Sequence, residues 1–102
     1  MKLETVAKLE EIPEKEGFLF QSGPYQIALF RDGEQISALN NECPHAGASL
    51  SNGYTDGKIV ACPWHGWEFD CATGKCVSVE GYDAETFRVV VEDGVVKVEL
   101  PE

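Results

Sequence analysis

Short runs of alternating apolar and polar residues fill most of this chain, and turn formers interrupt them at close intervals. Residues 4–9 alternate weakly and predict an edge strand, followed by a polar connection over 10–17 that ends in Gly17. Residues 18–21 and 25–31 are rich in β-formers and predict two strands around a Ser22-Gly23-Pro24 turn. Asp32-Gly33 is a hairpin signal leading into 35–39, where Ile36, Ala38 and Leu39 are placed to face a core. Residues 58–61 predict a short strand, 67–71 alternate again, and a turn at 72–75 leads into Cys76-Val77-Ser78-Val79. A last hairpin is predicted from 86–91 and 95–100 around Glu92-Asp93-Gly94, with its valines as plain core. Helix signals are scarce. The expected fold class is all-β: an antiparallel β-sandwich or small barrel base carrying a smaller β insertion at about 41–78. No repeat, linker or low-complexity stretch divides the chain, so residues 1–102 read as a single domain.

Composition narrows the partners. An apolar content of 43% supports a packed core. Eighteen acids against eight bases give a formal charge of −10, which argues against nucleic acid and against anionic membrane surfaces. The same charge serves solubility, or steering toward a basic partner. Residues 1–8 lack the apolar core of a secretory signal, and no run approaches the ~20 apolar residues of a membrane span. The expectation is a soluble, cytoplasmic protein, in which Cys and His at ligand spacing favour a metal site over disulfides.

The chemistry concentrates between residues 43 and 65. Cys43-Pro44-His45 is followed by sixteen residues and then Cys62-Pro63-Trp64-His65, which together hold both histidines and two of the four cysteines. Each loop offers one thiolate and one imidazole. Pro44 and Pro63 stiffen the loops, while Gly47 and Gly66 let the backbone turn close to a bulky inorganic group. Zinc accepts such a set tetrahedrally. A 2Fe–2S centre of the Rieske kind takes two Cys on one iron and two His on the other. The alternating order Cys, His, Cys, His, the one-residue spacing in the first pair, the paired prolines and the aromatic second loop (Trp64, Trp67, Phe69) lean toward iron.

The run Cys43-x-His45-x(16)-Cys62-x-x-His65-Gly66-Trp67 resembles the Rieske family, and the chain's length and strand order are similar to a small Rieske-type ferredoxin. The resemblance implies one Rieske 2Fe–2S cluster, with Cys43 and Cys62 on an inner iron and His45 and His65 on an outer iron near the surface. It also implies a low-potential subtype. Ala48 and Trp64 stand where the high-potential proteins carry a disulfide, and Trp67 and Phe69 stand where those carry hydroxyls bonded to sulfur. Losing such hydrogen bonds lowers the potential, to about −150 to 0 mV within the Rieske span. Reduction would make His45 and His65 hold their outer protons more tightly.

No histidine remains to build a second iron site for substrate chemistry, so the chain reads as an electron carrier and not an enzyme. The implied partners are a flavin-containing reductase and a terminal oxygenase, met by a monomer in brief encounters through an apolar rim of Pro44, Pro63 and Trp64. Two alternatives remain: the small Rieske-like subunit of an assimilatory nitrite reductase, docked on its large subunit, and a structural zinc domain used for protein interaction. Cys71 and Cys76 flank a four-residue turn and are expected as reduced, partly buried thiols outside the ligand set. Tyr25, Tyr54 and Tyr82 show no role beyond packing.

Overall fold

A computed structural model describes residues 2–44, 47–64 and 66–101. Ten strands appear in chain order: β1 (Lys2–Lys8), β2 (Phe18–Ser22), β3 (Tyr25–Asp32), β4 (Gln35–Asn40), β5 (Tyr54–Thr55), β6 (Ile59–Ala61), β7 (Glu68–Asp70), β8 (Thr86–Phe87), β9 (Val89–Glu92) and β10 (Val95–Leu100). The described helical structure is two 3-10 turns, Leu9–Glu11 and Leu50–Asn52. No helix among the described residues is long and apolar enough to cross a membrane.

Among the described residues the strands form three antiparallel sheets, ordered β1-β10-β9, β2-β3-β4-β8 and β5-β6-β7, none of them closed into a barrel. The layering follows from β3. Ile27, Ala28, Leu29 and Phe30 are all fully buried, so this strand is covered on both faces. Ile27 and Leu29 join Ala38, Val96, Val98 and Leu100 in one core, between the four-stranded sheet and β10. Ala28 and Phe30 join Leu39, Leu50, Val60 and Phe69 in the other, between the same sheet and the small sheet. The four-stranded sheet is therefore the middle layer, and the small sheet packs on its outer face.

β10 shows why one-sided strands alternate: Val96, Val98 and Leu100 are buried, while Val95, Lys97 and Glu99 between them are half-buried. Three expectations change. The segment expected as one strand over 86–91 breaks at Arg88: Phe87 pairs with Ala38, whereas Val89 pairs with Val98 in a different sheet. Val91 is not core. It lies on β9, an edge strand of its sheet, and is 39% exposed. Residues 76–79 form no strand and join the small sheet irregularly, through a bridge from Cys76 to Phe69 and hydrogen bonds of Val77 and Ser78 with Glu68.

Candidate metal centre

The two Cys loops are the same hairpin built twice. In the first, Glu42 bridges Ser49, the Cys43 N–H donates to the Ala48 carbonyl (2.8 Å), and the Gly47 N–H donates back to the Cys43 carbonyl (2.8 Å). In the second, Ala61 pairs with Glu68, the Cys62 N–H donates to the Trp67 carbonyl (2.7 Å), and the Gly66 N–H returns to the Cys62 carbonyl (3.2 Å). The common pattern is Cys-Pro-x-x-Gly-x. The glycines take φ of +71° and +69°, a left-handed turn that a side chain would strain. His45 and His65 lie outside the described residues. Pro44 and Pro63 are exposed, and Trp64 is 58% exposed, so Trp64 belongs to the rim and not to an apolar shell.

Each hairpin is anchored differently. The first hangs on Asn41, which is almost fully buried. The Asn41 N–H donates to the Gln26 carbonyl (2.9 Å) on β3, its own carbonyl accepts from Leu50 N–H (2.7 Å), and its Oδ1 accepts from Ser51 N–H (2.8 Å). Nothing in the strand pattern singles out Asn41. An Asn two residues before a ligand-type Cys was the available signal, since Asn can satisfy several backbone groups at once. The second hairpin continues β6 and β7, and its Trp67 packs edge-on against Tyr82, with ring centroids 5.1 Å apart.

Cys43 and Cys62 meet at the base of the two loops, each 1% exposed. Burial pushes the Cys62 thiol up, and its hydrogen-bonded contact with Cys43 pushes the same way, while the Trp64 backbone N–H donates to the Cys62 sulfur and opposes both. Ala48, Leu50, Val60 and Phe69 wall the pair, and Trp67 packs against that wall. Two buried, touching soft donors in an apolar wall, one with an N–H aimed at its sulfur, fit the thiolate half of an iron–sulfur cluster. A metal would draw off the protons that burial otherwise retains.

Cys71 and Cys76 are also free and buried, in agreement with reduced thiols. The Cys71 thiol is pushed up to about 12, chiefly by burial, although a hydrogen bond with Thr55 opposes the rise. The Cys76 sulfur accepts from Val79 N–H (3.4 Å), which fixes the following loop. Tyr54 is 80% exposed and does not pack as expected.

Known proteins resemble this arrangement over nearly the whole chain. The family model Rieske [2Fe-2S] domain matches residues 2–96. The 3-phenylpropionate/cinnamic acid dioxygenase ferredoxin subunit of Shigella flexneri serotype 5b is 38% identical over 94 residues, covering 90% of this chain and 88% of the relative. Among solved structures, the Sphingomonas yanoikuyae B1 ferredoxin aligns with a TM-score of 0.87 at 28% identity, over 98% of this chain and 100% of that one. A chain from a complex of reduced oxygenase and oxidised ferredoxin in carbazole 1,9a-dioxygenase aligns at 0.86 with 31% identity, over 94% and 100%. A Mycobacterium tuberculosis protein described as the small subunit of an NADH-dependent nitrite reductase aligns at 0.87 over 99% and 97%, but at 21% identity, and shows the shared fold alone.

Proposed function

The chain belongs to the Rieske [2Fe-2S] domain family, and on that premise we propose that it is the ferredoxin of a dioxygenase system, taking single electrons from a flavin-containing reductase to a terminal oxygenase. Its cofactor is a Rieske 2Fe–2S cluster, which supplies reversible one-electron chemistry when bound. It is an electron carrier, like the relatives named as ferredoxin subunits, and not a catalyst of substrate turnover.

One observation carries the reading of the ligands: twin hairpins bring Cys43 and Cys62 together in an apolar wall. In this proposal Cys43 and Cys62 hold the inner iron, and His45 and His65, from the same two loops, hold the outer one. Burial of the sulfurs keeps water from them. The exposed Pro44, Pro63 and Trp64 leave a short apolar rim for docking. Residues 1–102 act as one domain, with 41–78 as the cluster-binding part. The acidic surface favours a soluble cytoplasmic monomer with brief encounters, away from nucleic acid and membranes. The dioxygenase assignment is supported by the relatives' names, whereas the nitrite reductase likeness is one of fold.

The test begins with the purified protein. A visible absorbance envelope with two irons and two labile sulfides per chain is expected, and a colourless protein carrying one zinc would sink the proposal. His45→Cys should alter the absorption and EPR spectra, and unchanged spectra would remove His45 from the ligand set. Turnover reconstituted with a flavin reductase and an oxygenase, but not with a sirohaem-containing chain, separates the two partner readings.

A further inference from the structure

Beside the second hairpin, residues 77–82 expose apolar side chains on a loop that is anchored at both ends. Val77 is 59% exposed, Val79 36% and Tyr82 46%. Exposed valines on a loose loop would mean little. Here the Val77 N–H donates to the Glu68 carbonyl (2.8 Å), the Glu68 N–H donates to Ser78 Oγ (2.9 Å), and the Cys76 N–H donates to Asp83 Oδ1 (3.1 Å). Beyond the loop, the Ala84 N–H donates to the Gly74 carbonyl (2.6 Å). Tyr82 also leans on Trp67, whose carbonyl receives the Cys62 N–H, so the loop is continuous with the ligand hairpin. Its ordering cost is already met in folding, which favours association through it.

The charges within this stretch are acidic. Between Lys75 and Arg88, residues 76–87 hold Glu80, Asp83 and Glu85 and no base, and the two hairpins add Glu42 and Glu68. An apolar strip edged by carboxylates is complementary to an apolar strip edged by Lys and Arg.

We propose that residues 77–82 form a preorganised docking ledge that extends the contact surface sideways from the ligand loops. Its occupant is a redox protein presenting an apolar patch rimmed by Lys and Arg. The inference rests on the electron-carrier reading. Val77, Val79 and Tyr82 supply contact, and Glu80 with its acidic neighbours supplies steering. No residue of the ledge has to touch the cluster for this role.

The test uses the reduced holoprotein in stopped flow with two acceptors: mitochondrial cytochrome c, whose haem edge is ringed by lysines, and ferricyanide, which needs no docking surface. In V77S/V79S the second-order rate to cytochrome c should fall about tenfold, the equivalent of one good contact, while the rate to ferricyanide stays put. E80K should slow cytochrome c about fivefold at low salt, with the difference disappearing above the screening range. An unchanged cytochrome c rate in V77S/V79S overturns the ledge. Equal slowing toward both acceptors also overturns it, because the loop would then act on the cluster and not on the partner. Indifference of E80K at low salt overturns the basic-rimmed partner. A wild-type protein that reduces neither acceptor refutes the carrier reading itself.

Discussion

Cys71 illustrates how one buried group sets a pH limit. Its thiol is pushed from 9.0 to about 12, so the folded state keeps a proton that the unfolded chain releases earlier. The stability it contributes is complete below pH 9 and is lost as the pH rises toward 12, by up to about 1.4 kcal/mol per pH unit. Urea midpoints of Cys71→Ala should accordingly lose part of the decline seen in the parent across that window; parallel curves would show that the thiol is not its source. Asn41 makes a different kind of contribution. Asn41→Ala leaves the partly buried Ser51 N–H without its acceptor and should cost about 1–2 kcal/mol, with faster bleaching of the visible band. A variant as stable as the parent would remove Asn41 from the supports of the first hairpin. Cys43 and Cys62 were legible because thiols next to prolines at fixed spacing have few other uses. Asn41 was not, since an Asn in a loop reads the same whether its amide is buried or wet. His45 and His65, legible in the same motif, remain tied to it through the ligand proposal.

Among the elements, the segment between β7 and β8 depends on one close approach. Gly74 has φ of +77°, and a Cβ there would collide with the Ala84 carbonyl. Gly74→Ala should therefore cost about 2–3 kcal/mol and release residues 77–83 from the second hairpin. Chemical denaturation reads the first effect, and amide exchange at Val77 and Ala84 reads the second; protection unchanged at both would contradict it. Strand positions were readable from period-two alternation in β10 and from the unbroken apolar run in β3. The switch of sheets at Arg88 was not, because β8 and β9 share one apolar pattern and differ only in which strand each finds. Nor was the irregular course of 76–79 visible, since Val77 and Val79 carry strand propensity that tertiary context overrides.

For the molecule as a whole, a charge of −10 on 102 residues means mutual repulsion, and the surface pairs Lys2–Glu4 and Arg88–Glu99 offset little of it. Raising NaCl from about 20 to about 200 mM should raise the melting temperature by roughly 2–4 °C, through screening alone. A melting temperature that falls with salt would mean that attractive pairs dominate. The pairing of β1 with β10 has a consequence for how the fold is reached. Lys2 lies opposite Leu100, so this sheet closes only when two segments far apart in the sequence meet. Such a high contact order places folding in the slow, millisecond-to-second regime of β-proteins. A circular permutant of residues 1–102, with β10 joined to β1 by a short linker and new ends opened after the exposed Lys15, would turn β10 and β1 into neighbours along the chain. It should refold severalfold faster while keeping both cysteine hairpins uncut.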